Sequence, residues 1–347
     1  MRAIAISAHG GLEQLQLHSN LPAPELTAPT DVRVRIRTAA LNHLDLFVLE
    51  GLPGVTITPP WIMGGDGAGV IDAVGSGVRG ISPGDRVVIN PGVSDRRCEY
   101  CEAGEQPLCL RYKLLGEHLP GTLADYVVVP AVNVRCIPSS IPWDVAGAFT
   151  LAALTAWRMV VTRADVREGE NVLVWGIGGG VALASMLIAK QRGARVWVTS
   201  SSDAKLERAR ALGADETLNH ATLDVAREVR ARTGKRGVDV VLDNVGQATW
   251  NQSLLALGKR GRLVTCGGTS GPLVETDVRR LFWNQWTLMG STMGNDAELE
   301  EVVGALRAGT LRVPVDSVFD LEQSRQAFER LASSQQFGKV VVRVSDD

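Results

Sequence analysis

The chain of 347 residues is longer than one ordinary hydrophobic core organises, and its composition of 45% hydrophobic and 21% charged residues predicts a soluble globular protein of two domains. A formal net charge of −2 gives no reason to expect nucleic acid or an anionic membrane as a partner. No apolar run approaches the roughly 20 residues of a membrane span, and the start MRAIAISAHGG turns polar too soon for a secretory signal, so we expect a cytoplasmic protein.

Short β segments fill the first part of the chain. In DVRVRIR at 31–37, Val32, Val34 and Ile36 share one face and three arginines share the other, which predicts a half-buried strand with a solvated basic face. Glycine is dense between the Val and Ile runs that follow, as in GGDGAGVIDAVGSGV at 64–78, and favours strands with tight turns and bulges. Residues 1–130 therefore predict a small, barrel-like β domain.

Strands and helices alternate from about residue 138 onwards. Strands are predicted at 171–175, 194–199, 238–243, 261–266 and 286–292, and helices at 181–191, 203–212, 222–232, 248–257 and 276–284. This alternation predicts right-handed βαβ crossovers and a parallel sheet that is covered on both faces. After residue 294 we predict helices at 296–308 and 321–333 and a strand at 339–344, which are expected to pack back on the first domain.

A glycine cluster joins the first of these strands to the first helix. Its spacing is Gly-x-x-Gly-x-x-Ala, with Gly176, Gly179 and Ala182 at the fixed positions. Glycines allow a tight turn and a close approach of backbone to phosphate, and the N-terminus of a helix attracts negative charge. We therefore predict a dinucleotide site in which Gly176, Gly179, Gly180 and Val181 contact the cofactor.

The next predicted strand ends at residue 199 and is followed by Ser200, where NAD enzymes place an acidic residue for the ribose 2′-hydroxyl. Without that carboxylate a 2′-phosphate is not repelled, and Ser200, Ser201 and Lys205 offer it hydroxyls and a cation. NADP(H) is therefore favoured over NAD(H). Asp203 as a displaced ribose ligand, and helix capping by Ser202 or Asp203, remain the alternatives.

Polar and glycine residues also follow two later strands, at the ends where parallel sheets bind ligands. Asn244 follows the strand at 238–243, and Gly267, Gly268 and Thr269 follow the strand at 261–266. We predict that these four residues contact the nicotinamide side of the cofactor, with ordinary turn roles as the alternative.

Three of the five cysteines, Cys98, Cys101 and Cys109, lie close together in the sequence. In a reducing compartment such clustering favours a metal over disulfides. Cys136 and Cys266 stand in apolar strand contexts and are expected to be buried.

Taken together, these landmarks resemble the medium-chain dehydrogenase/reductase superfamily, which contains the zinc alcohol dehydrogenases and the quinone oxidoreductases. The resemblance is carried by NHLD at 42–45, GGDGAG at 64–69, PGDRV at 83–87, the three cysteines, GTLADY at 121–126, LTAW at 154–157, the glycine turn, ALGAD at 211–215 and FGKVV at 337–341. It implies an α/β protein with a GroES-like, β-rich catalytic domain formed by 1–151 and 295–347. A doubly wound Rossmann domain would occupy 152–294.

The resemblance also locates the place of a catalytic zinc. Alcohol dehydrogenases of this family bind that zinc through cysteine, histidine and cysteine, at positions that are Asn42, Gly65 and Leu151 here. None of these is a good zinc ligand, since Zn²⁺ takes thiolate, imidazole or carboxylate. The neighbouring side chains that could rebuild a site are His43, Asp45, Asp66 and His118.

Without a catalytic zinc, the chemistry implied is that of the zinc-independent quinone oxidoreductases. A quinone or enone spreads the incoming hydride charge through its own π system, so hydrogen-bond donors suffice. Asn42 is the predicted donor and Asp45 is predicted to orient it or the substrate, with a structural hydrogen-bonding role for Asp45 as the alternative. Phe47 stands where related enzymes often carry a tyrosine, which leaves Glu117 and His118 as the other ionisable candidates.

Two further cofactor contacts follow from the resemblance alone. His43 occupies a position from which some family members direct a basic side chain at the cofactor pyrophosphate. Lys339 of the FGK motif is implied to approach the 2′-phosphate, as in related reductases.

Many zinc-containing members also carry a lobe with the spacing C-x2-C-x2-C-x7-C around a structural zinc. Here Cys98, Cys101 and Cys109 match its last three positions, and Asp95 stands at the first. A carboxylate can complete a tetrahedral zinc site, so the four residues predict one structural zinc, with a metal-free lobe as the alternative.

The sequence thus predicts an NADPH-dependent oxidoreductase that transfers hydride to a quinone, enone or other activated carbonyl. The alternatives are a zinc-type alcohol or aldehyde dehydrogenase and a non-catalytic NADPH-binding protein. A small-molecule substrate is expected, together with a homodimer or homotetramer, because WNQW at 283–286 resembles the region through which the family dimerises. Buried aromatic packing is the alternative explanation of this segment.

Overall fold

The computed structural model describes residues 1–345, which divide into two compact units. The first unit joins Met1–Ala152 to the segment that begins at Asn295, and the second unit is Ala153–Gly294. No helix of the described residues is both long enough and apolar enough to cross a bilayer.

Eighteen strands are numbered along residues 1–345. They are β1 Ala3–Ile6, β2 Gln16–His18, β3 Asp31–Ala40, β4 Trp61–Ile62, β5 Asp66–Val74, β6 Arg86–Ile89, β7 Gly92–Val93, β8 Lys113–Leu114, β9 Tyr126–Pro130, β10 Val134–Cys136, β11 Asn171–Val174, β12 Arg195–Ser200, β13 Glu216–Asn219, β14 Val238–Asp243, β15 Leu257–Thr265, β16 Thr287–Gly290, β17 Val315–Asp320 and β18 Lys339–Arg343.

The helices are α1 His43–Glu50, α2 Glu99–Glu102, α3 Trp143–Gly147, α4 Thr150–Trp157, α5 Gly180–Gln191, α6 Asp203–Ala211, α7 Val225–Arg232, α8 Trp250–Ala256, α9 Val278–Asn284, α10 Asp296–Arg307 and α11 Ser324–Ala332. A π-helical turn at Arg158–Arg163 follows α4.

The first unit is built on a seven-stranded sheet with the order β10-β6-β5-β3-β18-β17, with β9 paired to β3. All its pairings are antiparallel except that of β17 with β18. Val32, Val34 and Ile36 of β3 are fully buried, as the alternating pattern predicted. Arg37 departs from that pattern and is buried, because the register shifts between Ile36 and Thr38 interrupt the alternation.

Three strands of this sheet bring distant parts of the sequence together. β3 pairs with β5 in the register Ala40 to Asp66, and it pairs with β18 on its other side. Asn42, two residues beyond the end of β3, therefore lies near the first residues of β5 and β18. The turn into β18 requires glycine at 338, because φ is +125° and a Cβ there would lie 2.3 Å from the carbonyl oxygen of Pro314.

The second unit contains a six-stranded sheet with the order β13-β12-β11-β14-β15-β16, in which every pairing is parallel. In the order of the chain this is 3-2-1-4-5-6, the doubly wound Rossmann arrangement. The order reverses between β11 and β14, and ligands of such sheets bind at that point, beyond the carboxyl ends of the strands. The predicted α/β fold class is confirmed.

Some strands and the two cysteines outside the cluster differ from the sequence predictions. β13 and β17 were not predicted, because ETLN and VDSVFD lack an apolar run and both strands lie at sheet edges. Cys136 was expected to be buried but is exposed at the end of β10, and Cys266 is partly exposed.

Candidate functional site

The glycine turn connects β11 to α5 and leaves the start of the helix open. Gly176 has φ +68°, and its N–H donates to the hydroxyl of Thr199. Gly179 is the N-cap of α5, so no side chain caps the first N–H groups of the helix. A Cβ added at Gly179 would meet nothing within 4 Å. The turn therefore presents unblocked backbone N–H groups to open space, as a pyrophosphate site requires.

The predicted 2′-phosphate residues lie where β12 ends and α6 begins. Ser200 is buried and its hydroxyl accepts from the N–H of Ser202, whereas Ser201 is exposed and Lys205 is half-buried. The alternative ligand, Asp203, accepts a hydrogen bond of 2.7 Å from the side chain of Asn219. Its carboxylate therefore already has a partner in the protein. Ser202 is the N-cap residue of α6, but its side chain makes no capping hydrogen bond.

The loops that follow β14 and β15 pack against each other. The hydroxyl of Thr269 donates to the carbonyl oxygen of Asn244 at 3.4 Å, and a Cβ added at Gly267 would lie 3.3 Å from that same oxygen. The first loop is fixed by Asp243, a fully buried carboxylate that accepts from the N–H groups of Val245 and Gly246. The four residues predicted for the nicotinamide side thus form one surface of the second unit.

A buried polar cluster occupies the junction of β3, β5 and β18 in the first unit. The ammonium of Lys339 donates to Asp66 Oδ2 at 2.9 Å and to Asn42 Oδ1. The side chains of Lys339 and Asp66 are 3% and 0% exposed. Asp66 also accepts from the N–H of Leu151 at 2.7 Å through its other oxygen. Lys339 thus has two partners within the protein, and the 2′-phosphate contact that the resemblance implied for it stays a prediction.

Asn42 was predicted to donate a hydrogen bond to the substrate. In the structure its amide nitrogen donates to Asp66 Oδ2 at 3.1 Å and faces the carbonyl oxygen of Ala40 at 3.4 Å. Both N–H groups are therefore directed at acceptors of the protein. Asn42 is suited to holding the cluster in place.

Asp45 lies beneath this cluster in the first turn of α1. It is 2% exposed and accepts from the N–H of Asn42 at 2.7 Å. Burial raises the pKa of Asp45 to about 7, against the lowering effects of that N–H and of the positive charge of Lys339. Burial and Lys339 also lower the pKa of His43. The imidazole of His43 is therefore neutral at pH 7, and its predicted pyrophosphate contact would be that of a neutral donor.

The place of a catalytic zinc contains no zinc-binding side chain at the three aligned positions. The side-chain oxygen of Asn42 accepts a hydrogen bond from Lys339. A Cβ added at Gly65 would lie 3.2 Å from a methyl group of Leu151. Leucine thus fills the space that a histidine at 65 would need. Glu117 is buried, which raises its pKa, and His118 is exposed beside it with 3.7 Å between the two side chains.

The predicted metal ligands come together in a lobe of the first unit. The ligand atoms of Asp95, Cys98, Cys101 and Cys109 all lie within 4.8 Å of one another. Hydrogen bonds from the N–H groups of Arg97 and Cys98 hold the pKa of the Asp95 carboxyl well below its ordinary value. The N–H of Asp95 donates to Cys109 Sγ at 3.2 Å. Three sulfur atoms and one ionised oxygen, supported by backbone donors, suit a tetrahedral zinc.

Two supporting residues were not found by sequence reasoning. Thr199 accepts from the backbone of Gly176 and Ile177 and so fixes the glycine turn. Asp243 fixes the loop after β14. Both are polar residues at the carboxyl ends of buried strands, which is the pattern that could have identified them.

Comparison with known proteins identifies the family of this chain. The profile described as "Alcohol dehydrogenase GroES-like domain" matches residues 28–139, and that described as "Zinc-binding dehydrogenase" matches 180–308. A zinc-type alcohol dehydrogenase-like protein of Schizosaccharomyces pombe is 30% identical, over 99% of each chain. A quinone oxidoreductase of Pseudomonas aeruginosa is 30% identical, over 98% of this chain and 99% of its own. An acryloyl-coenzyme A reductase of Metallosphaera sedula is 29% identical, over 99% of each.

Among solved structures, an NAD-dependent alcohol dehydrogenase is 44% identical, with a TM-score of 0.95 over 99% of this chain and 100% of its own. The chain belongs to the medium-chain dehydrogenase/reductase superfamily, as the resemblance implied. It is an NAD(P)-dependent oxidoreductase.

The pKa of Asp45 yields a prediction about stability. Because it is raised from 3.8 to about 7, the folded protein keeps a proton that the unfolded chain has lost between these values. The stability that this carboxyl contributes is fully present below about pH 4 and is lost as the pH rises through 7. Relative to Asp45→Asn, the wild type should lose about 1 kcal/mol of unfolding free energy per pH unit in that window.

Urea unfolding at a series of pH values measures this difference. Glu50→Gln, an exposed change at the end of the same helix, is the control and should keep the pH dependence of the wild type. Parallel stability curves for the wild type and Asp45→Asn would show that Asp45 does not titrate in this range.

Proposed function

We propose that this oxidoreductase uses NADPH to reduce a quinone, an enone or another activated carbonyl, without a catalytic zinc. The observation that carries the proposal is the chemistry at the three positions where related enzymes bind that zinc. They hold an amide, a glycine and a leucine, and a methyl group of Leu151 fills the space beside Gly65.

The substrate class follows from the charge that develops during reduction. A simple aldehyde becomes an alkoxide, which requires a Lewis acid or an equally strong electrophile. An activated acceptor delocalises the charge and needs less help. Relatives named quinone oxidoreductase and acryloyl-coenzyme A reductase support this class. Relatives named alcohol dehydrogenase support the alternative, a zinc-type enzyme that acts on alcohols and aldehydes.

The choice of NADPH rests on the end of β12. Ser200 replaces the acidic residue of NAD enzymes, and Ser201 and Lys205 lie beside it. Asp203, the alternative ribose ligand, accepts a hydrogen bond from the side chain of Asn219. The competing outcome is NADH, because several relatives are named NAD-dependent alcohol dehydrogenases. Bound NADPH would supply the hydride.

We also propose that Asp95, Cys98, Cys101 and Cys109 bind one structural zinc. The zinc would crosslink the start of α2 to the turn that follows it. The lobe is tied to the start of α10 in the same unit, where Arg96 forms an ion pair with Asp296.

For assembly, we propose a homodimer formed through the second unit, with a homotetramer as the alternative. β16 is an edge strand, and the helix before it exposes large apolar side chains. Val278 and Phe282 are each 64% exposed and Trp283 is 77% exposed. Apolar side chains of this size, exposed beside an unpaired strand edge, are typical of an interface.

The first test combines metal content with activity. We expect one zinc per chain by metal analysis and NADPH-dependent reduction of quinones and enones. Cys101→Ser should release the zinc and lower the melting temperature, while kcat per folded molecule stays close to that of the wild type. Cys136→Ser changes an exposed cysteine and is the matched control. Two zincs per chain, or NADPH binding without turnover of any such acceptor, would contradict the proposal.

Lys205→Ala tests the cofactor preference. Loss of the cation should weaken NADPH binding by about tenfold, which corresponds to one charge-assisted hydrogen bond, and leave NADH binding unchanged. Fluorescence titration with both cofactors measures this, with the exposed Lys259→Ala as the control. An equal loss for both cofactors would remove the case for a 2′-phosphate site.

Replacement of Phe282 and Trp283 by glutamate tests the interface. Charges placed in an apolar contact must be desolvated, so the double variant should dissociate into monomers with an unchanged circular dichroism spectrum. Light scattering after size exclusion measures the mass. A variant that keeps the mass of the wild type would place the interface elsewhere.

A further inference from the structure

We propose that the ammonium of Lys339 is the electrophile of this enzyme. It donates a hydrogen bond to the carbonyl oxygen of the acceptor and then transfers a proton to that oxygen. This rests on the proposed function, the reduction of a quinone or enone. It assigns to a side chain of β18 the part that a metal ion plays in the zinc enzymes.

The position of the ammonium carries the inference. Lys339 Nζ donates hydrogen bonds to Asn42 and Asp66. Asn42 stands at one of the three aligned zinc positions, and Asp66 follows Gly65, which stands at another. The third position, Leu151, donates its N–H to Asp66. A positive charge therefore lies against Asn42, at one of these positions, and against Asp66, which also contacts the backbone of Leu151.

The ammonium of Lys339 has more N–H donors than it has acceptors in the described structure. An ammonium has three N–H donors. Among the residues that the structure describes, two acceptors are found for Lys339, namely Asp66 Oδ2 and Asn42 Oδ1. The third donor can therefore serve an acceptor from outside the protein. The Lys339 side chain is 3% exposed and its partner Asn42 is half-buried, so an acceptor would reach the ammonium from the Asn42 side of the cluster.

Asn42, by contrast, is not the donor. Its amide hydrogens are directed at Asp66 and at the carbonyl oxygen of Ala40, while its oxygen accepts from Lys339. We assign Asn42 and Asp66 to the positioning of the ammonium. Asp66 is itself fixed by the backbone N–H of Leu151, so the charge is held before any substrate arrives.

Reduction of the acceptor requires one hydride and one proton. The hydride adds to the β-carbon of an enone, and an electron pair moves to the carbonyl oxygen. That oxygen takes a proton from Lys339 and the resulting enol rearranges to the saturated ketone, while Lys339 regains a proton from water. For a quinone, one hydride and one proton give the hydroquinone. A fixed positive charge in a buried site stabilises the developing negative charge more strongly than a neutral amide would.

The test uses two variants of the full-length protein, because removal of one member of a buried pair can unfold it. Lys339→Met leaves Asp66 charged and unpaired. Lys339→Met combined with Asp66→Asn removes both charges. Lys190→Met, which breaks an ion pair with Asp215 in the second unit, is the control and should keep the turnover of the wild type.

We expect both Lys339 variants to lose about 10²-fold or more in kcat at saturating NADPH, with NADPH affinity unchanged. The loss should be larger for a weakly activated enone than for a quinone of high reduction potential, since the quinone needs less stabilisation of its oxygen. A role in stability alone would not produce that difference.

Three results would overturn the inference. They are recovered turnover in the double variant, an equal loss for enone and quinone, and weakened NADPH binding with kcat unchanged, which would make Lys339 a cofactor ligand. Failure of the proposed function is seen separately, in the wild type. A wild-type protein that reduces no quinone or enone removes both proposals, whereas a wild type that does so leaves Lys339 to be decided by its variants.

Discussion

The charge of Lys339 is buried against that of Asp66, and the site of the first unit depends on this contact. The two side chains are 3% and 0% exposed, so neither charge is solvated by water. An unpaired charge at such a position destabilises a protein by roughly 3–5 kcal/mol, which means that each residue is tolerated only with the other. The pair also joins β5 to β18 across β3, and Asn42 completes it from the end of β3. One interaction thus fixes the geometry of the sheet junction and of the polar groups displayed there.

Much of the fold could be predicted because its causes are local. The spacing of Gly176, Gly179 and Ala182 sets the path of the backbone whatever surrounds it, and runs such as VDVVLD at 238–243 must be buried on both faces of a sheet. β13 and β17 were missed for the converse reason. Edge strands pair on one side only and can be polar, so their sequences do not distinguish them from loops.

The candidate site could be predicted in part. The four metal ligands are encoded within one short segment, so their approach follows from the sequence itself. The resemblance identified Asn42 and Asp45 as site residues, but it did not predict their hydrogen-bond partners. Lys339 and Asp66 are 273 residues apart, and an apolar strand with one lysine does not specify which carboxylate that lysine meets. Register across β3 decides this, and register is a property of the assembled sheet.

The place of β18 in the chain has a consequence for the order in which the protein matures. The second unit is one uninterrupted segment, 153–294, and all its strands leave the ribosome before residue 339 is made. Domains fold as units during synthesis, so the nucleotide-binding sheet can form while β3 still lacks its neighbour β18. Until β18 pairs with β3, Asp66 lacks the partner that Lys339 provides in the folded protein. Arrival of Lys339 neutralises it, so the same step that closes the sheet also creates the charged site.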